Sequence, residues 1–125
     1  IPIQINKSPK KINKNESQND ICSNIISNHL LYYDYSNIID FIKKNNNQEY
    51  IRYIFLNSWI TLYLKSNSKN QDYLRTMISF ILKSNVITSS LYKRLIKKYY
   101  KNYKEYVVDC PNIKIYLKDM ISIIS

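Results

Sequence analysis

The sequence predicts an all-α chain. Three observations predict it. Apolar residues recur at three- and four-residue spacing from Asp20 onward, short polar breaks separate the runs, and the chain has no Gly and only three Pro. The alternation of Ile1, Ile3 and Ile5 is strand-like, but nothing nearby pairs with it. Residues 1–19 hold Pro2, Pro9, four Lys and four Asn without periodicity, and read as a flexible linker or leader.

The elements follow in order from Asp20, which is placed to cap the first helix. Ile21, Ile25, Leu30 and Leu31 give that helix its spacing. Asp34 caps a second, carrying Ile38, Phe41 and Ile42, and Asn45 to Asn47 end it. A long third helix carries Ile51, Ile54, Phe55, Trp59, Leu62 and Tyr63. Ser66 to Asn70 reads as a polar turn before a fourth helix with Leu74, Met77, Ile78, Ile81 and Leu82. Ser84 to Ser90 breaks again, and Ser89 or Ser90 caps a fifth helix running to about Val107. Pro111 takes a first-turn position of the sixth, which carries Ile113, Tyr116, Leu117, Met120, Ile121 and Ile124. Without Gly, left-handed helix ends fall to Asn, with Asn45, Asn70 and Asn85 as candidates. Six helices of roughly 11 to 18 residues with short breaks make about three antiparallel hairpins. Hairpins that cannot bury their apolar faces alone stack into a HEAT-like α-solenoid, with a compact bundle as the rival.

A chain of 125 residues is expected to form one domain, which buries roughly two-thirds of its unfolded surface without staples. No apolar run approaches the ~20 residues of a membrane span, and no signal peptide is evident. The start lacks Met, which fits a fragment of a longer protein. Cys22 and Cys110 are expected to be free thiols in a reducing compartment. His29 is the single histidine, so a His-based metal cluster is not expected. Cys22 and His29 lie two helical turns apart, and a packed or surface pair is the stronger reading than a catalytic one. Without Gly there is no phosphate-cradling loop. No enzymatic activity, cofactor or metal is therefore expected. The formal net charge is +10, and 22 Ile, 16 Asn, 16 Lys and 13 Tyr dominate the composition. All four are A/T-rich codon residues, as an AT-rich coding genome would give.

The fifth helix has two faces. At 100° per residue, Lys93, Arg94, Lys97, Lys98, Lys101 and Lys104 fall within roughly 140°. Leu91, Tyr92, Leu95, Ile96, Tyr99, Tyr100, Tyr103, Tyr106 and Val107 fill the opposite half. Three readings are open: a solvated face of a core helix, RNA phosphate contact, and a membrane-surface helix. Base-stacking surfaces interleave aromatics with charge, so these Tyr residues read as packing groups. RNA here would be held by its backbone, without sequence preference.

Acidic residues number only nine, so their placement is informative. Glu105 and Asp109 are four apart, before Cys110 and Pro111. They share a face if the helix continues to Asp109, and so placed they could receive Arg or Lys from a partner. The residues alone favour local roles: Glu105 pairing with Lys101, worth ~0.2–0.5 kcal/mol, and Asp109 capping the last helix. No cleft or third group supports a catalytic carboxylate pair.

The tail carries a resemblance. Glu105, Asp109 and Pro111, in the run EYVVDCP, look like the acidic-x-x-x-Asp-x-Pro corner of the MA-3 domain family. Ile115, Tyr116 and Leu117 are similar to its bulky-Tyr-Leu, and Ile54-Phe55 to the Ile-Phe of its third helix. Ile25-Ile26 through Asp34-Tyr35 resembles its opening helix and loop, and residues 84–91 occupy the turn before its fifth helix. The likeness spans residues 20–125 and is strongest to the form carried by initiation factor 4-gamma scaffolds. It implies a stack of HEAT-like hairpins, no catalysis, and a cytoplasmic role in translation initiation. The implied partner is the DEAD-box RNA helicase initiation factor 4A, held through Glu105 and Asp109, which reverses the local reading of both. Translational repressors and RNA-processing factors carry related domains. The chain departs from the family in lacking the Ala and Gly of several helix contacts, and in its basic face beside Glu105.

Overall fold

The computed structural model describes residues 14–45 and 49–124. Those residues form six α-helices and no strand. They are α1 (Lys14–Leu31), α2 (Tyr35–Lys44), α3 (Tyr50–Lys65), α4 (Ser68–Lys83), α5 (Ser89–Lys101) and α6 (Ile113–Ser122). A 3-10 turn, Tyr103–Glu105, lies between the last two. The Ile1, Ile3 and Ile5 alternation lies outside the described residues. The first helix begins at Lys14, ahead of its expected start at Asp20.

Sequence neighbours pack together: α1 on α2, α3 on α4, α5 on α6. The first two pairs also meet through α1 against α3 and α2 against α4, and α6 reaches α3. Helix α3 is therefore the hub. Ile51, Phe55, Leu56, Trp59, Ile60 and Tyr63 are buried, and its exposed residues, Asn57, Thr61 and Lys65, form a single stripe. A helix apolar on most sides belongs inside a fold. Ile26, Leu30, Ile38 and Ile42 from α1 and α2, and Tyr92, Ile96, Ile113, Leu117 and Met120 from α5 and α6, share one buried cluster with the α3 residues. Among the described residues every buried side-chain polar atom has a hydrogen-bond partner. The Gln71 amide donates to Tyr63 O at 2.9 Å, and the Tyr92 hydroxyl to Met120 O at 2.8 Å, tying α5 to α6.

The caps differ from the expected ones. Thr88, not Ser89 or Ser90, caps α5 by accepting from Leu91 N at 3.1 Å. Asn67 caps α4, which places Asn70 inside that helix rather than at a left-handed end. Asn45 ends α2 at φ −121°, through its side chain to Phe41 O. Asp34 holds the N-cap position of α2, but its carboxylate accepts from the Asn37 side chain instead of a backbone N–H. Pro111 precedes the cap of α6, Asn112, rather than standing in the first turn. Asn85 is left-handed at φ 66°, as expected. Tyr33 is the second such residue, at φ 54°. It closes α1 by a Schellman pair of bonds, Tyr33 N to Leu30 O at 3.1 Å and Asp34 N to His29 O at 2.7 Å. A bulky residue there costs ~1–2 kcal/mol.

Burial raises the Tyr92 hydroxyl well above the ordinary tyrosine value of 10.0, and the nearby Tyr63 adds to the effect. Burial raises Tyr63 and Tyr99 in the same direction. The folded chain thus keeps protons that the unfolded chain releases near pH 10. This stability is complete below pH 10 and is lost as pH rises past it, by about 1.4 kcal/mol per pH unit for Tyr92. Urea midpoints should hold to about pH 10 and fall from there to about pH 11.5, and a constant midpoint over the whole range would contradict the burial of this hydroxyl.

Candidate partner-binding corner and basic face

Helix α5 stops earlier than its apolar spacing suggests. Asn102 turns back on it, donating from both its backbone N and its side-chain Nδ2 to Lys98 O. Lys93, Arg94, Lys97, Lys98 and Lys101 therefore lie on α5, while Lys104 sits in the 3-10 turn. All six are exposed. None pairs with a carboxylate among the described residues. Arg94 differs from the lysines: its guanidinium donates to the Tyr53 hydroxyl at 3.0 Å, which leans it toward α3. Two of the three α5 tyrosines pack, while Tyr100 is exposed. Tyr92 is fully buried, and Tyr99 is half-buried with its hydroxyl donating to Asn57 Oδ1 at 3.0 Å.

Beyond Asn102 the chain forms a corner held from two sides. Tyr106 stacks on Tyr99 with ring centroids 5.2 Å apart. The Cys110 thiol lies 3.6 Å from Leu64 O on α3, and partial burial raises its pKa, which keeps the donor proton in place. The Lys114 ammonium covers the Tyr103 ring at 4.1 Å. The backbone continues the anchoring, with Cys110 N donating to Tyr106 O and Ile113 N to Cys110 O.

Glu105 and Asp109 both lie on this corner and both are exposed. Because α5 has ended, they do not share a continuous helix face. Glu105 makes no ion pair with Lys101, and Asp109 does not cap α6. The local roles that the residues alone favoured are therefore unfilled. Between the two carboxylates stands Val108, 85% exposed. Sequence reasoning missed this valine, because its apolar neighbours Val107 and Tyr106 turn inward. Of the residues that carried the family likeness, Leu117 is buried, Tyr116 meets the Tyr63 ring edge-on at 6.0 Å, and Ile115 is exposed.

A cavity of about 450 Å3 opens where α3 begins and the α4–α5 connection meets α5. Arg52, whose Nε donates to Val86 O at 2.8 Å, lines it with Arg94 and Glu49. Arg52 and Arg94 lie 42 positions apart, so no local motif marks them. Cys22 and Cys110 are unbridged. The Cys22 thiol is buried, and His29 lies 3.7 Å from Asp34. Among the described residues no cluster of three metal-ligating side chains occurs, and no helix is long and apolar enough to cross a membrane.

Comparison of the chain with protein-family models, with curated proteins and with solved structures finds no match. The geometry defines the chain as an all-α protein with an anchored, acidic, partly apolar corner beside a basic helix face.

Proposed function

We propose that the chain is a non-enzymatic protein-protein interaction domain of MA-3 type, arranged as a HEAT-like solenoid of three hairpins. It belongs to a translation initiation scaffold of the cytoplasm, docks the DEAD-box helicase initiation factor 4A and modulates cap-dependent translation. The packing of successive helices in pairs supports the hairpin arrangement. The observation that carries the docking reading is the corner. Glu105 and Asp109 are exposed, have no partner among the described residues, and flank a bare valine on an anchored backbone. Carboxylates held ready in this way are suited to bidentate contact with arginine. Co-purification with the helicase tests it: Glu105→Lys combined with Asp109→Ala, folded by circular dichroism, should fail to retain the helicase. Retention equal to wild type would show the assignment to be wrong.

One observation favours a second reading. The cations at positions 93, 94, 97, 98, 101 and 104 are exposed and free of carboxylate partners. An RNA backbone seated on six cations would give log K a slope of about −4 to −5 against log salt. Titrations at several salt concentrations check this, and a flat response rules the face out.

A further inference from the structure

Helix α4 carries a pattern that α5 lacks. At 100° per residue, Lys69, Tyr73, Thr76, Phe80 and Lys83 fall within roughly 80° of its circumference. All five are exposed. The buried residues of α4, including Leu74, Met77, Ile78 and Ile81, occupy the other side. Tyr73 and Phe80 are 48% and 44% exposed, large for aromatic rings in a helix. Two further rings come from the α1–α2 connection and the first residue of α2. Tyr35 stacks on Phe80 with centroids 4.9 Å apart and planes 6° apart, and Tyr33 tilts against Tyr73 at 5.2 Å. Tyr33 reaches that position from its left-handed backbone, the kind of strain that concentrates at ligand clamps.

A surface that holds unpaired bases needs aromatic faces for stacking and cations for the phosphates, interleaved on one side. On α5 the two types are separated onto opposite faces. On α4 the two rings stand on one ridge between two lysines, which lie at the ends of a span of about 21 Å. The carboxylates bordering the ridge are engaged: Asp72 pairs with Arg75, and Asp34 accepts from Asn37 and lies near His29. A chain of charge +10 adds a field that attracts a polyanion. We propose that this α4 ridge binds single-stranded RNA, with bases stacked on Tyr73 and Phe80 and phosphates against Lys69 and Lys83. A duplex would not serve, since its bases are already stacked on one another. The site is separate from Glu105 and Asp109, so it goes beyond the docking reading and stands or falls without it.

The test is fluorescence anisotropy of a labelled single-stranded RNA dodecamer and of its duplex, titrated with the 125-residue chain. Tyr73→Leu and Phe80→Leu keep apolar bulk against Tyr33 and Tyr35 but remove the π face. Each should weaken single-strand binding at least about fivefold, with the far-ultraviolet dichroism unchanged. Lys69→Gln with Lys83→Gln should flatten the salt slope by about 1.4. Wild type should prefer the single strand. Equal affinity for duplex, or undiminished binding by both leucine variants, overturns the proposal. If binding is instead abolished only by Lys→Glu changes at 93, 97, 98 and 101, the RNA belongs to the α5 face. Undiminished RNA binding by the leucine variants together with loss of helicase co-purification would assign the ridge to a protein partner, again overturning it.

Discussion

Trp59→Ala should cost the fold about 3–5 kcal/mol, the largest loss expected from any single side chain here. The residue is fully buried on α3, the helix that the other layers share. Its ring meets Tyr63 at 5.3 Å and Tyr92 edge-on at 5.9 Å, so one truncation removes ring contacts within α3 and to α5. The indole N–H donates to Leu74 O at 3.1 Å, which joins α3 to α4. Domains of this size have about 5–15 kcal/mol in total, so the variant should unfold at much lower urea, by about 2 M for a typical slope. Trp59→Phe keeps the ring contacts and loses only the donor and part of the volume, and should cost clearly less. A loss below about 1 kcal/mol for the alanine variant would contradict the hub role of α3.

Why the fold was largely legible is seen in α3 and α4. Much of their periodic apolar set is buried, so spacing alone picked out Ile51, Phe55, Trp59, Tyr63, Leu74, Met77, Ile78 and Ile81, though it passed over the buried Leu56 and Ile60. The end of α5 was not legible for a different reason. Tyr103, Tyr106 and Val107 continue the apolar spacing, yet the chain turns at Asn102. Asparagine is a stop signal, but in a chain with 16 of them its position carries little information. The α1 start was missed because residues 14–20 contain no apolar residue to reveal a period. Tyr33 in the left-handed region follows no local preference. Its place is set by the Schellman closure and by Tyr73 across the fold.

The candidate sites divide in the same way. Residue type and spacing single out the cations at 93, 94, 97, 98, 101 and 104, whereas for Glu105 and Asp109 they favour local roles and only the family resemblance implies a partner. What spacing cannot supply is whether a charged group already has a partner. That depends on where α5 ends and on which side chains cross to α3, as Arg94 does and Lys97 does not. The α4 ridge is the converse case. Lys69, Tyr73, Phe80 and Lys83 are visible in the sequence at helical spacing, but the spacing does not say that the Tyr and the Phe are exposed.

Glu105→Gln and Asp109→Asn should each weaken helicase binding by about 2–5 kcal/mol if the carboxylate is buried against an arginine of the partner. Much of that loss is the cost of stranding the partner's charge, so it should appear in the dissociation rate. If both groups face one docking surface, they share its desolvation and the two effects should not add. Cations near the corner should behave differently. Lys101→Glu and Lys104→Glu leave no buried charge unpaired, and they remove repulsion toward a basic partner surface. They should raise the association rate, most clearly at low salt, with little change in dissociation. Surface plasmon resonance with immobilised helicase separates the two rates. If the amide variants at 105 and 109 change only the association rate, their carboxylates act as solvated steering charges at the rim. The corner would then not be the docking centre, whatever its exposure.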